Sequence, residues 1–313
     1  MEWINKVICS DALETLKQMP SEYVDCCVTS PPYWGLRDYG TDKQLGLEKT
    51  FEEYITKLCD IFDEVKRVLK QTGTCWVVLG DTYASMGGAS RHFGYQDPKY
   101  EKGRAGNYIE PSAFPQTVEP KSLCLIPFRF AIEMCSRGWI CRNVIIWYKP
   151  NCMPSSAKDR FTVDFEYVFF FVKNKKYWFE QQFEEHQRDW AGCGGNIAGN
   201  GLHKKGNGYE IVNRQEVIPN PLGRNRRCVW QIPTQPFPEA HFAVYPEKLI
   251  ETPIRAGCPP NGIVIDPFAG SGTTGVEARK QGKDFILIDV KEEYCKMARK
   301  RLMAVPESLF KNV

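Results

Sequence analysis

"VIDPFAGSGTTG", Val264 to Gly275, is the stretch that decides the fold. An apolar run ends at Asp266, a glycine-rich turn follows, and "GTTGVEARKQG" continues at helical spacing. Strand, tight turn and helix in that order are the repeating unit of an α/β sheet. Gly270, Gly272 and Gly275 fit G-x-G-x-x-G, and Asp289 ends the next apolar run seventeen residues after Gly272. Read alone, this is a nicotinamide-dinucleotide fingerprint. Two features weigh against it. Asp266 stands at the strand tip, where a carboxylate repels a pyrophosphate. Only one further strand and helix follow. A nucleoside with a cationic tail and no phosphate fits better, and S-adenosyl-L-methionine is that ligand. The glycines admit it close to the backbone, and the helix N-terminus at Gly272 to Thr274 favours its carboxylate. Asp266 would face the cationic methionine end, and Asp289 would accept the ribose hydroxyls.

The remaining chain alternates in the same way. Val7 to Cys9 reads as a strand, and "DALETLKQM" as a helix capped by Ser10 or Asp11. Val24 to Val28 is a strand. "TFEEYITKLCDIFDEVKRVLK" is an amphipathic helix with Thr50 as cap and Glu53 three residues on. "GTCWVVLGD" is a buried strand, and "SLCLIPFRFAIEMCSRG" a helix stopped by Gly138. "ICRNVIIWYKP" and "FEYVFFFVKN" are strands, the second β-rich enough for mid-sheet. "YPEKLIETPIRAG" is a helix, and "EEYCKMARKRLM" closes the pattern. The expectation is a mostly parallel sheet with helices on both faces.

Two segments break the alternation. Residues 83–119 carry glycines, aromatics and mixed charge without a period, and a loop that long is expected to be mobile and functional. Residues 180–230 are polar and glycine-rich. From His186 to Cys228 stand seven basic residues against three acidic ones, more than the surplus of +3 on the whole 313-residue chain. A local positive patch suggests a polyanionic partner, with Arg224, Arg226 and Arg227 as the candidate contacts.

Composition sets further bounds. With 42% hydrophobic and 25% charged residues, the chain has the profile of a globular protein. Thirteen cysteines is an odd number. Several lie in apolar runs, where a free cysteine behaves as a small hydrophobe. There is no C-x-x-C pair and the four histidines are scattered, so no metal is expected. No signal-peptide pattern or membrane-length apolar run is present, and a reducing cytoplasm is the expected compartment.

"VTSPPYW", Val28 to Trp34, places two prolines and two aromatics at a strand end, where the ladder must stop. With "DPFAGSGTT" late in the chain, it resembles the amino-group DNA methyltransferases of the circularly permuted (beta) arrangement, in which the catalytic half precedes the cofactor loop. "CSDALETL" is similar to the family's adenine-contacting segment, with Asp11 at the acidic position and Ser10 where Gly is usual. "RGWICRNVIIWYKPNCMPSS" and "DRFTVDFEYVFFFVKN" look like its middle strands. "AHFAVYPEKLIETPI" resembles the segment that closes over the methionine moiety.

The resemblance implies a Rossmann-like methyltransferase sheet with three parts: a catalytic half at 1–179, a target-recognition insert at 180–230 and a cofactor half at 231–313. It implies S-adenosyl-L-methionine held by Asp11, Phe242, Asp266, Phe268, Ala269, Gly270, Ser271, Gly272, Thr273 and Asp289. The catalytic residues would be Ser30, Pro31, Pro32 and Tyr33. An exocyclic amino nitrogen is a poor nucleophile until acceptors take its protons. The Pro31 carbonyl and Ser30 hydroxyl are two such acceptors. Tyr33 would stack on a base taken out of duplex DNA, and Trp34 would wall the pocket and touch DNA. Members with Ser before the two prolines mostly methylate cytosine N4, and those with Asp mostly adenine N6. Ser30 therefore favours a site-specific cytosine-N4 enzyme, with N6-adenine as the alternative. A nicotinamide dehydrogenase and a non-catalytic nucleic-acid-binding module stay open as distant readings. Duplex DNA is the expected partner. A homodimer and a cognate restriction endonuclease are left open.

Overall fold

The computed structural model describes residues 3–35, 44–84, 118–186, 202–205, 208–211, 220–235 and 245–306, with backbone alone at 202–205 and 208–211. By its contacts the chain divides into Met1–Glu180 with Cys228–Val313, and a smaller unit, Gln181–Arg227.

The larger unit is built on an eight-stranded sheet. Its elements in chain order are β1 (Lys6–Cys9), α1 (Ala12–Gln18), β2 (Val24–Thr29), α2 (Phe51–Val68), β3 (Leu69–Leu79), α3 (Ile126–Ser136), β4 (Ile140–Tyr148) and β5 (Phe165–Val172). The smaller unit contributes β6 (Phe183–Glu184), β7 (Leu202–Lys205), β8 (Gly208–Ile211) and β9 (Arg224–Asn225). The larger unit then resumes with β10 (Val229–Gln231), α4 (Glu247–Gly257), β11 (Ile263–Asp266), α5 (Thr273–Lys280), β12 (Asp284–Asp289) and α6 (Glu292–Ala304).

The strand order is β1-β12-β11-β2-β3-β5-β4-β10. All pairs are parallel except the two that β5 makes with β3 and β4. "FEYVFFFV" thus lies in mid-sheet, as its composition suggests. Alternate residues along each central strand enter opposite cores. Cys27, Cys75, Val77, Phe169 and Phe171 pack under α1, α2 and α3. Cys26, Trp76, Val78, Phe170 and Leu287 pack under α4 and α5. Strands buried on both faces need continuous apolar runs, which these sequences supply.

Local signals set the helix starts. Asp11 accepts the Glu14 N–H at 3.0 Å, and Thr50 accepts that of Glu53 at 3.2 Å. For α3 the cap is remote. Leu125 is left-handed and offers no side-chain cap. The carboxylate of Asp81, just past β3, takes the N–H groups of Leu125 and Ile126, both at 3.1 Å. At the border expected for the insert, Val229–Gln231 forms an edge strand paired to β4, with Trp230 buried. Among the described residues no helix is long and apolar enough to cross a membrane.

Candidate active site

The two sequence motifs, more than 230 residues apart, end neighbouring parallel strands. Cys26 pairs with Val264 and Cys27 with Ile265, so the tips of β2 and β11 lie side by side. The strand order reverses direction here, the place where open α/β sheets bind ligands. A polar knot joins the tips. Thr29 Oγ1 donates to Asp266 Oδ1 at 2.6 Å, and Thr274 Oγ1 and Tyr245 OH donate to Oδ2 at 2.5 and 3.2 Å. The Phe268 N–H adds a fourth bond at 3.0 Å.

Asp266 is completely buried, and burial pushes its carboxyl up to about 6 against the pull of these donors. This corrects the expectation that Asp266 faces a cationic ligand. With four protein donors and no exposed surface, its carboxylate staples strand tips where the ladder has run out. Burial and the nearby Asp266 likewise raise the Tyr245 phenol well above its ordinary range.

The glycines have separate tasks. Gly270 is left-handed (φ +50°), and a Cβ built there meets nothing within 4 Å. The backbone therefore borders open space, the cradle a closely approaching nucleoside ligand needs. Gly272, also left-handed, would place a Cβ 2.6 Å from that of Ala298 on α6. Gly275 would place one 2.6 Å from Leu287 Cδ1 on β12. Both are there for packing. Ser271 and Thr273 turn their hydroxyls to Arg301, which donates to each at 2.9 Å. Phe268 is half-buried, and Ala269 donates its N–H to Ile288 at 2.9 Å. The backbone N–H groups of this turn open α5 at its N-terminus.

Asp289 ends β12 and accepts the N–H groups of Gly270 and Lys291 at 2.8 and 2.9 Å. Burial raises its carboxyl, with those two bonds opposing. Each oxygen keeps lone-pair capacity for a diol. Cys9 on β1 pairs with Asp289, so Asp11 follows on the same edge of the sheet. The acidic corner and the Gly270 cradle are thus brought together and fit a nucleoside.

The Ser30 to Trp34 turn leaves β2 and is clamped by α2. Tyr54 OH donates to the Pro32 carbonyl at 2.8 Å. Among the described residues no donor engages the Pro31 carbonyl. Tyr33 donates its hydroxyl to Glu166 Oε2 at 2.7 Å, and Glu166 Oε1 is bonded to Lys149 Nζ. Burial pushes the Tyr33 phenol well above its ordinary range. The Glu166 charge adds to this, and a hydrogen bond with Ser30 opposes it. The tip of β3 is shaped to this ring. A Cβ on Gly80 would stand 2.7 Å from Tyr33 Cε2.

Trp34 is a second correction. It is buried, packed edge-on against Phe51 at 6.0 Å, and donates its indole N–H to the Glu48 carbonyl at 3.0 Å. The indole anchors the turn to α2 and keeps little exposed surface. Sequence reasoning also missed Glu166, Lys149, Thr29, Tyr245 and Arg301, since each bonds to a residue of another element. Lys149 and Glu166 did carry a signal, as charges bordering the apolar runs Val144–Tyr148 and Tyr167–Val172.

In the smaller unit, Glu184 accepts Arg224 Nε at 2.9 Å and Arg227 Nε at 2.7 Å. The Arg226 N–H donates to the Gln182 carbonyl at 2.9 Å. Bounded at Gln181–Arg227, the unit takes in Glu184 and Glu185 as well, giving seven basic against five acidic residues. Its surplus is smaller than the count from His186 suggests. Phe242 and nearly all of the loop expected at 83–119 lie outside the described residues. Two thiols and a carboxylate, Cys9, Cys295 and Glu292, lie within 4.8 Å of one another beside Asp289. Burial pushes the Cys295 thiol up to about 12 and raises that of Cys9.

An α/β sheet with a glycine cradle and a proline-aromatic turn at its switch point defines a group-transfer enzyme that uses a nucleoside cofactor. Comparison with known proteins gives the family. The model described as DNA methylase (N6_N4_Mtase) matches residues 24–300. The type II methyltransferase M.SmaI of Serratia marcescens is 40% identical over 298 residues, covering 95% of this chain and 90% of its own. The PvuII DNA methyltransferase (cytosine-N4-specific) superposes with a TM-score of 0.61 at 21% identity, over 98% of this chain and 87% of that one. A candidate DNA modification methylase of Thermus thermophilus, complexed with S-adenosyl-L-methionine, superposes at 0.59 and 20% identity, over 96% and 95%. The chain belongs to the DNA methylase family.

Proposed function

We propose that this protein is a site-specific DNA methyltransferase that uses S-adenosyl-L-methionine to methylate the exocyclic N4 of a cytosine turned out of duplex DNA. The observation that carries the reading is the Ser30 to Tyr33 turn beside the Gly270 cradle on adjacent strand tips. When bound, S-adenosyl-L-methionine supplies an electrophilic methyl group. Asp289 and Asp11 would hold its nucleoside end, and the α5 N-terminus its carboxylate. The Pro31 carbonyl and Ser30 hydroxyl accept the amino protons, so the nitrogen lone pair localises. Tyr33 stacks on the base, and positioning supplies most of the catalysis.

The cytosine-N4 specificity of the PvuII enzyme supports this reading of Ser30. The type II designation of M.SmaI supports a cognate restriction endonuclease as partner, and with it action on DNA in the cytoplasm. In the smaller unit, Gln181–Arg227, we place recognition of the DNA target, with Arg224, Arg226 and Arg227 as contacts. The test is to methylate plasmid with tritiated S-adenosyl-L-methionine and analyse the nucleosides by mass spectrometry. N4-methylcytosine is expected. N6-methyladenine alone would overturn the base assignment, and no label in DNA would overturn the methyltransferase reading.

A further inference from the structure

We propose that Glu166 and Lys149 are positioning residues for methyl transfer: the carboxylate, held by the ammonium, tethers the Tyr33 hydroxyl and so keeps the Tyr33 ring in one orientation toward the extruded base. The inference rests on the methyltransferase reading and deepens it at the catalytic turn.

Stacking on a base uses the face of an aromatic ring and makes no use of a hydroxyl. The phenol of Tyr33 therefore needs another account. It donates to Glu166 Oε2 at 2.7 Å. Burial raises the phenol well above its ordinary range, which keeps the donated proton in place.

The backbone on either side of the ring is already pinned. Tyr54 OH donates to the Pro32 carbonyl at 2.8 Å, and the Trp34 indole donates to the Glu48 carbonyl at 3.0 Å. The freedom left at Tyr33 is rotation about its two side-chain torsions. A ring that turns must be ordered again at each transfer, which raises the barrier. The bond to Glu166 sets the direction of the ring axis. Gly80 limits rotation about that axis, since a Cβ there would stand 2.7 Å from Tyr33 Cε2.

The carboxylate is itself held. Leu79 pairs with Tyr167, which brings Gly80 opposite Glu166, and Trp147 pairs with Glu166 on the other side. Lys149, two residues past Trp147, lies on the same face of the sheet. Its ammonium bonds Glu166 Oε1 and lies 4.3 Å from the Trp147 ring centroid. Trp147 is buried, and its indole donates to the Ile232 carbonyl at 2.8 Å. Glu166 and Lys149 are only 20% and 17% exposed, so water competes weakly for their charges. With one oxygen on the cation and the other on the phenol, the carboxylate has a single position.

The experiment is a double-mutant cycle of Tyr33→Phe and Glu166→Ala. Single-turnover transfer of a tritiated methyl group is read at saturating duplex and cofactor. Calorimetry gives cofactor affinity, and fluorescence anisotropy gives duplex affinity. Phenylalanine keeps the stacking face and removes the tether. Each single variant is expected to transfer about tenfold more slowly, with both affinities as in the wild type. The double variant is expected to be no slower than the slower single. Transfer by Tyr33→Phe at the wild-type rate would overturn the proposal, as would losses that multiply to about a hundredfold in the double variant. A cofactor affinity that falls with the rate would overturn it too, since that marks general damage to the site. If Glu166→Ala does not fold, Lys149→Met takes its place in the cycle and the same outcomes decide. A wild-type protein that methylates no DNA would instead refute the underlying function, so the two failures are separable.

Discussion

Asp266 shows how one residue can read correctly as important and incorrectly as to what it touches. Its carboxyl rises to about 6 in the fold, from an ordinary value of 3.8. Between those pH values the folded chain holds a proton that the unfolded chain has lost. The stabilisation is complete below about pH 4 and is lost as pH rises through 6, roughly 3 kcal/mol in all. Asp266→Asn removes the titration, and the surrounding hydroxyls can turn to satisfy an amide. Urea unfolding of both proteins from pH 4 to 7 should show the wild type losing that stability relative to the variant. Parallel curves would refute the assignment.

The glycines divide at the same scale. Gly270→Ala should cost only about 1 kcal/mol of folding, the strain of a left-handed alanine, while weakening cofactor binding measurably by calorimetry. Gly272→Ala adds a collision with Ala298 on α6 and should lower the melting temperature well beyond the Gly270 variant. Equal melting temperatures would contradict the packing role. The motif was legible because glycine spacing is local. That the first glycine borders space and the other two border neighbours was not, because those neighbours lie on α6 and β12.

At the scale of elements, the clamp between the catalytic turn and α2 carries its own expectation. Trp34 reads in sequence as a surface aromatic beside a proline turn, a reasonable DNA contact. The fold instead brings the turn onto α2, where Phe51 meets the indole edge and the Glu48 carbonyl takes its N–H. Trp34→Ala should therefore cost about 3–5 kcal/mol of stability by opening a cavity, seen as an early urea transition. DNA affinity of the folded fraction should be little changed. A stable variant with lost DNA binding would restore the original reading. Strand and helix positions were legible here, since Thr50 caps α2 and the run Val24 to Val28 is apolar but for Asp25. Contacts between elements were not, because nothing in the spacing says which loop returns to which helix. The cap of α3 by Asp81, more than forty residues earlier, is hidden for the same reason.

For the whole molecule, the open question is how charge is shared between the two units. The chain is nearly neutral, and Glu184 already engages two of the three arginines proposed to meet DNA. Although burial opposes it, the bonds and charges of Arg227 and Arg224 hold the Glu184 carboxyl below its usual range. Phosphate binding by these arginines must then compete with an internal partner. Glu184→Gln should relieve that competition and raise affinity for a non-specific duplex at low salt. Replacing Arg224, Arg226 and Arg227 together by Ala should do the reverse. Each phosphate contact removed lowers the slope of log affinity against log salt by about 0.9. Three lost contacts would therefore flatten it by about 2.7 between roughly 50 and 200 mM salt. A slope unchanged in the triple variant would show that DNA is held elsewhere. A flattened slope without the Glu184→Gln gain would mean that the arginines reach phosphate while still paired to the carboxylate.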